Sequence, residues 1–301
     1  MLRTRLFILL SIVLLYSCRA AVPEFDEQRA FEYLKAQCDF GPRYPGSSGH
    51  KACLDYLFQE LGKRTPHVQK QTFRGVIHKT GQSVNMTNVI ASFGEGKPAW
   101  LLCAHWDTRP WADSDPDPVM CNQPVPGAND GASGVAVLLE IARHLQNHPP
   151  SRRIELVLFD GEDSGTQGVD ASWCLGSRYY ARQLSPAEKA EKAVLVDMVG
   201  DRELSLPMEG NSLRYAPRLT EKIWDLAESL GLWAFNRKVG PDIIDDHLEL
   251  MKVGIPAVNI IDFDYPWWHT IHDTVDKCSA ESLGVVGRLL LHLIYENSGL
   301  D

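Results

Sequence analysis

Residues 156–165, LVLFDGEDSG, decide how this chain is to be read. Leu156, Val157, Leu158 and Phe159 make an apolar run of core-strand length, and Asp160, Glu162 and Asp163 crowd into the four positions after it, with Gly161 loosening the backbone between them. A solvated turn explains an isolated acidic pair, because charged side chains usually sit at the surface. Neighbouring carboxylates repel one another, however, so the residues that follow the chain's other apolar runs carry the decision.

Apolar or alternating segments at 68–76, 84–93, 100–104, 154–159, 193–199 and 257–261 predict strands. Helical periodicity predicts helices over 26–37, 48–62, 132–146, 174–184, 218–230, 247–253 and 280–295. Strands alternating with helices imply an α/β fold: one domain, a central mostly parallel mixed sheet, and helices on both faces. In such folds ligands gather beyond the carboxyl ends of the strands. The stretch 107–129, rich in Pro and Asp, is predicted to be a long irregular loop, and loops of that length inside a domain are usually functional.

A length of 301 residues with 44% hydrophobic and 23% charged residues fits one large globular domain with a sizeable core. The net charge of −9 and the absence of a basic cluster remove the electrostatic basis for nucleic-acid binding. The first residues, MLRTRLFILLSIVLLYSC, place Arg3 and Arg5 before an apolar run and then small Ser17 and Cys18. That pattern predicts an export signal over residues 1–17, too short to span a bilayer comfortably. Its end, Leu15-Tyr16-Ser17-Cys18, resembles a bacterial lipobox, which makes Cys18 the lipidated first residue, residues 18–24 a short linker and 25–301 the folded domain. Multiple acyl chains at Cys18 would anchor the chain in the bacterial periplasm or cell envelope. The remaining cysteines show no CxxC pair and no dense framework, so any disulfide is an accessory.

Polar residues follow apolar runs again and again. LLCAHWD ends in His105 and Asp107, AVLVDMVG holds Asp197 inside its apolar run, AVNIIDFDYPWWHT leads to His269, and PGANDGASG sets Asp130 among small residues at the start of a predicted helix. Each has a plain structural explanation as well: His105 as a satisfied core histidine, Asp130 as a helix N-cap, His269 as the polar tip of an aromatic loop. Asp197 is harder to explain away, since an unpaired buried carboxylate costs several kcal/mol. No Lys or Arg lies in these segments, so a divalent cation is the simplest compensation, drawing in Asp130, Asp163, His269 and also His105 and Asp197. Carboxylates and imidazoles in that mixture suit zinc with an open coordination position. The acids of WADSDPD, 111–117, would also suit calcium, although a solvated acidic loop explains them more simply.

The ordered motifs AHWD, NDGASG, FDGED, VDMVG, DDH and WWHT, running from about Phe25 to the C-terminus, resemble the zinc-dependent M28 peptidases and, within that clan, the bacterial glutaminyl cyclases. The resemblance implies that Glu162 is the general acid/base and Asp163 a zinc ligand. A cyclase would hold one zinc on Asp130, Asp163 and His269, and leave His105 and Asp197 to hydrogen bonding. Asp245, hydrogen-bonded to Asp197, would assist Glu162, and Trp268 would wall the substrate pocket. The implied reaction converts an N-terminal Gln of a peptide or protein to pyroglutamate with loss of ammonia. A two-zinc aminopeptidase of the clan would add a second ion on His105, Asp130 and Asp197; an inactive surface-binding lipoprotein is the remaining class. Asp245 also fits an N-cap of the helix that follows it, and Trp268 a core aromatic. The clan often has Glu where this chain has Asp163, a shorter carboxylate that still reaches a metal.

Overall fold

A computed structural model describes residues 22–296, so the export signal and Cys18 lie outside the described residues. The chain runs α1 (Glu27–Cys38), α2 (Ser48–Gly62), β1 (Val68–Ile77), β2 (Gln82–Phe93), β3 (Trp100–His105), α3 (Ser133–Asn147), β4 (Ile154–Phe159) and α4 (Leu175–Gln183). It continues through β5 (Lys192–Asp197), β6 (Leu206–Met208), α5 (Gly210–Tyr215), α6 (Pro217–Ser229), β7 (Phe235–Val239), α7 (Asp246–Lys252), β8 (Ala257–Ile261) and α8 (Ala280–Tyr295).

The main sheet has six strands in the order β1-β2-β4-β3-β5-β8. β4, β3, β5 and β8 are mutually parallel, whereas β1 pairs with β2 and β2 with β4 antiparallel. The expected mixed, mostly parallel sheet is therefore present. The parallel strands β3, β4, β5 and β8 are buried on both faces because both faces are covered, whereas β1 at the edge is largely exposed. Leu102, Ala104, Leu156 and Leu158 point into one core layer with α1, α3 and α8. Leu101, Cys103, Val157 and Phe159 alternate into the other, with Tyr180 of α4 and Leu250 of α7. A continuous apolar run such as Leu156 to Phe159 is thus divided between two cores.

Parallel pairing brings the carboxyl ends of β4, β3, β5 and β8 to one rim, and the chemistry-bearing residues with them. β3 ends on His105, β5 on Asp197, and β4 delivers Asp160 to Asp163 one step beyond its last residue. Strand β5 is shorter than the expected 193–199 run because Met198 turns into the left-handed region, with φ 46°. The stretch 107–129 contains neither helix nor strand, as its composition predicts.

β6, β7 and α5 were not legible in the sequence. β6 and α5 are too short to show a period, and β7, FNRKV, is mostly exposed and so carries no apolar alternation. The six cysteines among the described residues are free thiols, so no accessory disulfide is formed by them. Among the described residues no helix is long and apolar enough to cross a membrane.

Candidate active site

The small residues around Asp130 let α3 approach the sheet rim. Gly131 has φ +100°, and a Cβ there would overlap the Asp107 carbonyl oxygen; a Cβ on Gly134 would overlap that of Val196. The N-cap position of α3 is Ala132, with no side-chain cap bond, so Asp130 is not a helix cap. Its carboxylate instead lies between two imidazoles. Oδ1 is 3.1 Å from His105 Nε2, and Oδ2 is 3.7 Å from His269 Nε2. His105 Nε2 is also 3.0 Å from Asp197 Oδ1, and His269 Nε2 is 3.0 Å from Asp163 Oδ1.

Two candidate metal triads therefore share Asp130. His105, Asp130 and Asp197 form one, Asp130, Asp163 and His269 the other, and in each the ligand atoms lie within 4.8 Å of one another. The donor set is imidazole nitrogen and carboxylate oxygen, which suits zinc. Asp130 Oδ2 and Asp163 Oδ2 are buried without a hydrogen-bond partner, as expected of atoms meant for a cation. The shorter Asp163 side chain still reaches the cluster.

A cavity of about 410 Å³ opens over these residues. Asp130, Glu162, Asp163, Asp197 and Asp245 line it, with Trp173, Ile243, Trp268 and His269 among its other walls, and no Lys or Arg. The electrostatics follow from that imbalance. Burial and the Asp163 charge push Asp130 up to about 7, against the pull of His105. Burial, then Asp163, raises Glu162 well above the ordinary carboxylate range. Burial, then the Asp197 and Asp246 charges, does the same to Asp245. For Asp163 burial acts upward too, but His269 and Arg109 outweigh it and hold its pKa below the usual value. His105 is raised well above its usual value: burial opposes the shift, and Asp197, Asp107 and Asp130 overcome it.

Asp245 combines two of the expected roles. It is the N-cap of α7, accepting from the Asp246 amide at 2.6 Å, and it also lines the cavity. Its other oxygen accepts from Asn259 Nδ2 at 2.7 Å. Asp197 bonds His105, and its charge is the nearest cause, after burial, of the raised pKa of Asp245. Trp268 lies on His269 with ring centroids 3.7 Å apart and planes 21° from parallel.

Several supporting roles were not identified from the sequence. Asp107 is no ligand; its two oxygens accept the Glu162 and Asp163 amides at 3.1 and 3.2 Å and so aim that turn. Asp273 accepts the Asn129 and Asp130 amides at 2.8 and 3.1 Å and the Tyr265 hydroxyl at 2.7 Å, tying the Asp130 turn to the His269 loop. Arg109 bonds the Asp163 and Gly165 carbonyls and grips Asp113, whose Oδ1 is 3.4 Å from His269 Nδ1. Trp173 stacks on His269 with centroids 6.1 Å apart. The only sequence signal for Arg109 was the length of the loop that carries it, whereas Asp113 lies in the acidic run 111–117. Among the described residues the acids at 111–117 do not converge as a cluster of candidate ligand atoms. Asp113 pairs with Arg109, Asp115 is buried and accepts the Asp117 and Ile271 amides, and only Asp117 is exposed as a solvated loop requires.

Among the described residues, Cys174, Met198 and His269 are the non-glycine residues with left-handed backbone. Such conformations cost about 1–3 kcal/mol each and persist where the surroundings over-determine them. Here all three border the cavity residues Glu162, Asp197 and Asp163.

Comparison with known proteins agrees with this geometry. The model of Peptidase family M28 matches residues 88–294. A glutaminyl cyclase of Bacteroides thetaiotaomicron, solved with N-acetylhistamine, is 38% identical with a TM-score of 0.87, covering 91% of this chain and 99% of that one. A leucine aminopeptidase precursor from the same organism has the same identity and TM-score and covers 91% and 98%. Aminopeptidase YwaD of Bacillus subtilis is 30% identical over 275 residues, 85% of this chain, which spans 54% of that relative's length. Similar proteins carry the names of both activities, and the family match over most of the folded domain shows that the chain belongs to peptidase family M28.

Proposed function

We propose that the chain is a zinc-dependent glutaminyl-peptide cyclotransferase, acting on peptides or proteins that begin with Gln. One observation favours this over peptide hydrolysis: the cavity is walled by Trp268, flat on the candidate ligand His269, and carries the buried acid Asp245. Zinc held by Asp130, Asp163 and His269 would supply Lewis-acid polarisation of the side-chain amide carbonyl. The acidic lining attracts the substrate's amino terminus, and Trp173 and Trp268 cover the apolar stem of the glutamine.

Glu162 accepts a proton from the α-amine, which then attacks the side-chain carbonyl carbon. The new C–N bond closes the ring, the bond to the amide nitrogen breaks, and Glu162 returns the proton so that ammonia departs. The raised pKa of Glu162 is the direction a base working near neutral pH requires. Asp197 adds negative charge beside the reacting amine, and Asp245, whose pKa burial and the Asp197 charge raise, is placed in the cavity to take up a proton.

A dizinc aminopeptidase is the second reading, favoured by the complete His105, Asp130 and Asp197 triad. Peptides that begin with Gln or with Leu separate the two. The expected result is ammonia from the Gln peptide with its terminus blocked to amine reagents; free leucine or glutamine would reject the cyclase.

We further propose that the mature protein is anchored in the cell envelope through lipid on Cys18. Expressed in a bacterial host fed labelled palmitate, the full chain should take up label that Cys18→Ser abolishes. An unlabelled wild-type chain would rule the anchor out.

A further inference from the structure

Cys174 breaks two local rules at once. It is the N-cap of α4, yet its backbone is left-handed, φ 57° and ψ 42°, where an N-cap is ordinarily extended, and its side chain makes no cap bond. The thiol points instead at Glu162, with Sγ 3.6 Å from Oε1, and the Cys174 amide donates to the Glu162 carbonyl at 3.1 Å. Leu175 adds a bond from its amide to the Gly161 carbonyl at 3.2 Å, and Ser177 Oγ bonds the Cys174 carbonyl at 3.2 Å. The first turn of α4 thus clamps the Gly161–Glu162 turn by both main chain and side chain. Local rules broken without a packing reason are expected where function requires the geometry.

We infer that Cys174 is a positioning residue for Glu162: its S–H donates to Oε1 and leaves Oε2, 4.0 Å from His105 Nδ1, turned toward the metal side of the cavity. The thiol is 2% exposed and belongs to neither triad that shares Asp130; with Glu162 and Asp245 it forms a separate cluster whose donor atoms lie within 4.8 Å of one another. Burial and the Glu162 charge raise its pKa well above the usual value, so it is a donor throughout the neutral range. The left-handed backbone is what aims it. An extended cap residue would send its side chain to the α4 amides.

This inference rests on Glu162 being the proton carrier, and its test separates the two. In the zinc-loaded protein, Cys174→Ala should lower kcat on the Gln peptide about 10-fold, because a misaimed base loses part of its proton-transfer advantage. KM and zinc content should not change, and Cys174→Ser, which restores an O–H donor, should recover most of the loss. A kcat for Cys174→Ala equal to wild type, or a loss that serine does not recover while zinc is retained, overturns the role. The contact has an independent signature: the S–H stretch in the infrared difference between wild type and Cys174→Ala should lie below that of a free thiol and rise when Glu162→Gln is introduced. A band at the free-thiol position overturns the inference even if the Ala variant folds poorly. Wild-type protein that turns over no peptide would reject the functional reading alone, and the infrared band would still report on the contact.

Discussion

Glu162→Gln is expected to lower kcat by roughly 100- to 1,000-fold, about 3–4 kcal/mol of transition-state stabilisation, with zinc content unchanged. The substitution keeps the shape of the side chain and removes its capacity to accept a proton. Glu162 belongs to neither triad that shares Asp130, and its backbone is aimed by Asp107 and by the first turn of α4. An isosteric amide should therefore leave ligand positions undisturbed, and KM should change little, as for a group whose interaction strengthens only in the transition state. Steady-state kinetics with a Gln-initiated peptide and metal analysis on the same preparation check both halves. Undiminished turnover would remove Glu162 from the reaction, and lost zinc would reassign it as a ligand.

Asp130→Ala should be more damaging still, because this carboxylate belongs to both triads. Losing it takes one ligand from an ion in either triad and leaves His105 and His269 without their common partner. Zinc should not survive dialysis, and activity should fall by at least about 1,000-fold, on the scale of the several kcal/mol that a Lewis-acid metal supplies. His105→Ala completes the measurement. If the site holds a single zinc on Asp130, Asp163 and His269, this variant retains the full metal content; if it holds two, one is lost. Metal analysis of the two variants thus counts the ions as well as testing the ligands. Zinc retained in full by Asp130→Ala would overturn the shared-ligand geometry.

The fold was largely legible because its signals are local. Leu156 to Phe159 reads as a strand, Ala280 to Tyr295 as a helix, and alternation of such segments requires a parallel sheet covered on both faces. The site was partly legible for a related reason: in a parallel sheet every strand delivers its last residues to the same rim, so His105, Asp163, Asp197 and His269 could be gathered from their positions after apolar runs. Where elements are short or exposed, as in β6, β7 and α5, no period exists to be read. The supporting roles were hidden because Asp107, Arg109 and Asp273 act on backbone groups, which any residue type presents alike, and Asp113 acts on Arg109 and on His269, 156 positions away.

The sequence alone determined the layered α/β architecture, the residues at the strand ends and, through its ordered motifs, the kinship with M28 peptidases. Tertiary structure alone decided that Asp130 stands between two imidazoles, that Asp245 accepts from Asn259, and that a thiol touches Glu162. Periodicity is set by neighbours a few positions apart and survives in the one-dimensional string. A coordination sphere is set by side chains such as Asp163 and His269, 106 positions apart, whose distance exists only once the strands have paired and the helices have packed.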